Sequence, residues 1–144
     1  MTTKRPAQRC LEHCRKLGWL PAVVEFWNPH VKRRKDLFGF LDLVVMDDEP
    51  GLLGIQSTGG SGDVAAHVAK LAEIPAVVEW LQRGLRLEIW SWRKLAAYKL
   101  DGTRAKRDRW ALKRRVASLE GGKVVWGNGN KAVFLASTLI GRVS

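Results

Sequence analysis

Apolar positions along the chain fall into two periods, one helical and one extended. Ala7, Cys10, Leu11, Cys14 and Leu17 recur at helical spacing over residues 5 to 17, and Gly18 is a natural stop. PAVVEF, residues 21 to 26, has the branching and length of a short strand, and HVKRRKD follows it as a basic loop. FLDLVVMDDEPGLLGIQST, residues 40 to 58, is two apolar runs joined by an acidic Pro-Gly turn, which predicts a hairpin. After the flexible STGGSGD, with Asp63 as a plausible N-cap, GDVAAHVAKLAEI and PAVVEWLQRG predict two helices. Pro75 restarts the second and Gly84 ends it.

The second half reads mainly as strand. LRLEIWSWRKL, residues 85 to 95, alternates, with Leu85, Leu87 and Ile89 on one face and Arg86, Glu88, Trp90, Trp92 and Lys94 on the other. YKLDGTRAKRDRW carries a DG turn, and ALKRRVASL returns as a basic partner strand. This gives a basic hairpin extension at about 96–118. The tail, KVVWGNGNKAVFLASTLIG, holds another turn at Gly127 to Asn130, and its structure beyond that turn stays open. Helix, strand, hairpin, helices, strand is the pattern of an α/β fold: a single domain with a mixed central β-sheet flanked by helices.

Each run of the 40–58 stretch is interrupted once, by Asp42 in the first and Gln56 in the second. Burying a carboxylate is costly unless something compensates it. With Asp47 to Gly51 as the connection and Met46 opposite Leu52, antiparallel pairing keeps paired numbers at a constant sum of 98. Asp42 then falls opposite Gln56, with Cβ atoms about 5 Å apart, and Thr58 shares their face. Either the two form one hydrogen bond that fixes register, or they form a polar site beside the open glycine loop.

Composition sharpens the second alternative. Hydrophobic residues make up 46% of the 144, which argues against disorder and is enough for one well-buried core. The net charge of +11 points to a polyanionic partner, with a basic domain lacking any such partner as the plainer alternative. The cations cluster at Lys32, Arg33, Arg34 and Lys35 before the polar pair, and from Arg104 to Arg115 after it. Two such clusters predict a phosphate-binding face, with Arg104, Lys106, Arg107 and Arg109 in the second. Trp90 and Trp92 either stack on exposed bases or pack against a helix.

No run of 18 apolar residues exists, so neither a spanning helix nor a membrane partner is expected. MTTKRPAQRC lacks the apolar core of a signal peptide, so the mature chain is expected to start here and act in the cytoplasm. Cys10 and Cys14, one turn apart, have no second pair to complete a zinc site. With His13 beside them, they are expected to be small hydrophobes in a reduced compartment.

GFLDLVVMDDEPGLLGIQST resembles the core hairpin of the PD-(D/E)xK nuclease superfamily, in particular archaeal-type Holliday junction resolvases and related small phage-encoded nucleases. The resemblance runs from the first helix to the strand at 85–95. It implies a restriction-endonuclease-like core, a Mg²⁺ cofactor with Mn²⁺ as a substitute, and DNA, including branched or Holliday-junction DNA, as substrate. It also implies a homodimer, since paired cuts need two sites, and a phage-encoded protein acting in the host cytoplasm. Asp42 matches the metal-binding Asp, while Gln56 stands at the second acid and Thr58 at the lysine of the acid-x-Lys. Gln8 occupies about the place of the usual first-helix carboxylate, and Glu12, a turn later, faces away from the apolar stripe. The expected site is therefore Asp42, Gln56, Thr58, Glu25 and Lys70, with Asp42, Glu25 and the Gln56 carbonyl on the metal and Lys70 as a relocated lysine. Lys35 is the weaker choice for that lysine. A metal-dependent DNA endonuclease follows; the alternative is a catalytically inactive nuclease fold that binds nucleic acid, suggested by the missing acid-x-Lys.

Overall fold

The computed structural model describes residues 4–59 and 63–128. In chain order it has α1 (Pro6–Lys16), β1 (Leu20–Val23), β2 (Phe26–Asn28), β3 (Arg33–Lys35), β4 (Leu43–Met46) and β5 (Leu53–Gly59). Then follow α2 (Asp63–Ala72), α3 (Pro75–Gln82), β6 (Arg86–Leu95), β7 (Arg109–Glu120) and β8 (Lys123–Asn128). Six strands make one mixed sheet in the order β1-β4-β5-β6-β7-β8, and β2 with β3 forms a separate ribbon. Among the described strands only β5 and β6 pair in parallel, a pairing that needs a crossover, which α2 and α3 supply. The chain is a single small α/β domain. Among the described residues no helix is long and apolar enough to cross a membrane.

The helices sit where their apolar stripes dictate. Pro6 opens α1 at a position where its missing N–H costs nothing, and Gly18 takes the positive φ of 80° that turns the chain out of the helix. Ala7, Cys10 and Cys14 pack on Leu43, Val45, Leu53, Ile55, Trp90 and Trp92. Leu17, expected on that stripe, lies just past the helix end and is exposed. On the opposite face Leu71, Val77 and Trp80 cover Leu87 and Ile89. The alternation of β6 thus buries both its faces, one under α1 and one under α2 and α3. Trp90 and Trp92 are core residues of the α1 side, not a stacking platform.

The hairpin register is 98, as in Leu43↔Ile55, Val44↔Gly54 and Val45↔Leu53. Three expectations need correction. The strand expected over 21–26 splits: β1 ends at Val23, the Val24 N–H still donates to the Asp42 carbonyl (2.8 Å) in the β1–β4 register, and the chain then enters the ribbon at Phe26. HVKRRKD is not a loop throughout, since Arg33 to Lys35 pair with Phe26 to Asn28. The basic extension is shorter than 96–118, because residues from Arg109 onward belong to the central sheet. Of the turn expected at Gly127 to Asn130, Gly127 and Asn128 end β8, and the rest of the tail lies outside the described residues.

Candidate metal centre and basic surface

The C-terminal ends of β1 and β5 and the start of β4 lie at one end of the sheet, because β1 and β5 both run antiparallel to β4. Asp42 sits one residue before β4, with its N–H donating to the Ile55 carbonyl at 2.9 Å. Its carboxylate turns to Ser57, accepting from the backbone N–H at 2.8 Å and from the hydroxyl at 3.0 Å. Gln56 instead donates its Nε2 to Asp36 Oδ2 at 3.3 Å. Asp42 and Gln56 therefore reach the same place without bonding to each other, and Asp36 links them.

Asp36 was hidden in the sequence at the end of a cationic run. It follows β3 directly, just as Glu25 precedes β2, so closing the β2–β3 ribbon brings the two acids together at its base. Glu25, Asp36 and Asp42 each offer a carboxylate oxygen, and these oxygens lie within 4.8 Å of one another. Burial pushes the Asp42 carboxyl up, to about 7, and its side-chain hydrogen bond with Asp36 adds to the rise. The Ser57 N–H opposes the rise, and the negative charges of Asp36 and Glu25 add to it. Like charges crowded in a low dielectric raise proton affinity unless a cation neutralises them.

The donor set fits a divalent cation. Gln56 is 1% exposed, and its Oε1 is buried without a hydrogen-bond partner. Three convergent carboxylates are an all-oxygen ligand set of the kind hard cations take, and the unpartnered Oε1 belongs to the same Gln56 amide whose nitrogen contacts Asp36. Two cations already stand at the rim: Arg5 pairs with Glu25, and Lys70 Nζ lies 3.7 Å from Asp36 Oδ2.

The structure thus brings together Asp42, Gln56, Glu25 and Lys70, and adds Asp36. Thr58 is buried in β5 on the Gln56 face, but no polar contact among the described residues joins it to the cluster. Glu12 is engaged with Lys4 at 3.0 Å, away from the centre. His13 lies edge-on to Trp90 and Trp92, with ring centroids 5.6 and 5.7 Å away, and the two thiols beside it are free. Burial pushes Cys10 up to about 12 and Cys14 to about 11, which fits inert core thiols.

Cations surround the acids. A cleft of about 580 Å³ beside the centre is lined by Arg33, Arg34, Lys35, Asp36 and Lys70, among others. Lys32 tops the ribbon turn with a φ of 52° and is exposed. Arg104, Lys106 and Arg107 are exposed in the β6–β7 connection, and Arg109 is exposed at the start of β7. Arg104 is partly occupied by Asp108 at 3.1 Å. This connection projects from the same end of the sheet as the acids, since β6 runs parallel to β5 and continues past Trp92, the partner of Gly59. No family model, characterised protein or solved structure matches the chain.

Proposed function

We propose that the chain is a Mg²⁺-dependent DNA endonuclease built on a restriction-endonuclease-like core. The observation that carries this reading is the convergence of Glu25, Asp36 and Asp42 on one another at the cationic end of the sheet, with the Gln56 amide in contact with Asp36. Asp42, Asp36 and Glu25 would hold the ion with Gln56 as a neutral ligand, and Mn²⁺ would substitute. When bound, Mg²⁺ supplies Lewis-acid activation of water and charge stabilisation at the scissile phosphate.

The chain's own residues do the positioning. Ser57 clamps Asp42 through two donors, Gln56 orients Asp36, and Arg5 holds Glu25. Lys70 stands at the rim beside Asp36, where an ammonium can take the phosphate charge in place of the lysine that Thr58 lacks. The ribbon cations would guide the DNA backbone to it, acting in the cytoplasm. Cutting branched or four-way DNA in pairs would require a homodimer with one centre per subunit.

A second reading, a catalytically inactive fold that binds nucleic acid, is favoured by Thr58 standing where the resemblance places a lysine. Incubation with linear, nicked, flap and four-way DNA in Mg²⁺, Mn²⁺ or EDTA separates the two. Metal-dependent cleavage that Asp42→Asn abolishes, with the fold and DNA affinity retained, is the expected result. Binding without cleavage in either metal would leave the inactive fold standing.

A further inference from the structure

Away from the acids, α2 and the sheet enclose a second cleft of about 460 Å³. Val64, Ala65 and Val68 of α2 form one wall, and Ser91, Arg93, Lys113 and Arg115 form the other. Ser91 is the direct partner of Lys113, and Ile89 of Arg115. Ile89 packs under α2 and α3, so alternation puts Ser91, Arg93, Lys113 and Arg115 all on that face.

Three cations share this wall, and none has an acidic partner among the described residues. The neighbouring cations behave differently: Arg114, on the other face, is held by Glu88, and Lys94 by Asp108. Arg115 Nε is buried with no acceptor. A buried donor left unpaired loses its hydration without return, and like charges across a strand pair repel. An anion in the cleft removes both costs.

Its position says which anion. Thr58 pairs with Ser91 in the parallel register, and Ser91 with Lys113. Two strand spacings of about 4.8 Å put Lys113 about 10 Å from Thr58 across the same face. That is roughly three nucleotide steps at about 3.4 Å of rise per strand. We infer that this cleft is a phosphodiester-binding subsite, in which Arg93, Lys113 and Arg115 hold the nucleic-acid backbone a few nucleotides from the acidic centre. The ligand's identity rests on the nuclease reading; the demand for an anion does not.

The test uses the full chain in EDTA, so that binding is read without cleavage. Fluorescence anisotropy with a labelled DNA duplex is followed from 50 to 300 mM NaCl for the wild type and for Arg93→Ala/Lys113→Ala, both exposed positions. Lys16→Ala/Lys123→Ala removes the same charge at exposed positions outside the cleft and away from the β6–β7 connection, and serves as control. Losing two phosphate contacts should lower the salt slope by about 2 and weaken binding roughly tenfold or more at 100 mM, with the control close to wild type. Arg115→Gln, which keeps donors but removes the charge, should weaken binding in the same direction. The Mg²⁺-induced rise in melting temperature should be unchanged in all three, since the acids are intact. A cleft variant that binds like the control, or a wild type that binds no duplex, overturns the subsite. A wild type that binds through the cleft but never cuts upholds the subsite and removes the nuclease reading.

Discussion

Asp42 is asked to be buried and charged at once, and the metal-free protein cannot satisfy both. Its carboxyl is raised from 3.8 to about 7 by burial first and by Asp36 next. A raised acid contributes most to stability below its unfolded value and loses that contribution as pH climbs through the folded one. In EDTA the melting temperature should therefore fall between about pH 4 and pH 7. The scale is a few kcal/mol, with about 1.4 kcal/mol for each tenfold change in proton affinity. At pH 8, Mg²⁺ should restore the loss in the wild type and not in Asp42→Asn; a melt indifferent to Mg²⁺ in both would remove the metal centre. Gln56→Glu should destabilise the EDTA form further, because it removes a donor to Asp36 and adds a fourth acid. With Mg²⁺ the same variant should show a larger stabilisation than the wild type. Asp42 and Gln56 were legible because each breaks an apolar run. Asp36 was not, because in sequence it merely closes a basic stretch, and its role exists only once the ribbon folds back.

At the scale of elements, periodicity and turn chemistry carried the hairpin, and the register of 98 followed from connection length alone. What arithmetic missed was the departure at its end, where Asp42 leaves the ladder and takes Ser57 instead of facing Gln56. The ribbon was illegible for a different reason: Arg33 to Lys35 are poor strand formers held by pairing with Phe26 to Asn28, a tertiary effect. Two substitutions test the packing that holds β5 and β6 in place. At Gly54 an added Cβ would meet Leu41 Cδ2 at 2.3 Å and Trp80 Cζ2 at 3.2 Å, both in the α2–α3 core. Gly54→Ala should therefore cost about 1–3 kcal/mol by denaturant melt while leaving the Mg²⁺ response intact. Glu88, 3% exposed, accepts from Arg114 at 2.6 and 2.9 Å and from Trp90 Nε1 at 3.0 Å. Glu88→Ala strands a mostly buried guanidinium and should cost about 3–5 kcal/mol. A loss under 1 kcal/mol would mean that Arg114 finds water instead.

Over the whole molecule the charge of +11 is distributed with a direction. Lys32 to Lys35 ride on the ribbon whose base carries Glu25 and Asp36, and the 104–109 cations leave the sheet at the same end. The polycationic loops and the acids are thus neighbours, an arrangement that, on the proposed nuclease reading, would draw a polyanion to a centre that would otherwise repel it. If about six phosphates are contacted, DNA affinity in EDTA should fall roughly 10³-fold between 50 and 200 mM salt. Arg33→Ala/Arg34→Ala should lower the slope of log affinity against log salt by about 2, since each removed contact frees one fewer counterion. The melting temperature should barely move, because both side chains are exposed and no acid among the described residues pairs with them. Their effect on cleavage should be larger than their effect on binding, because these arginines line the cleft that contains Asp36 and Lys70. A flat salt response in the wild type would detach the basic end of the sheet from DNA. A full response that Arg33→Ala/Arg34→Ala leaves untouched would move the contact to the 104–109 connection and the α2 cleft.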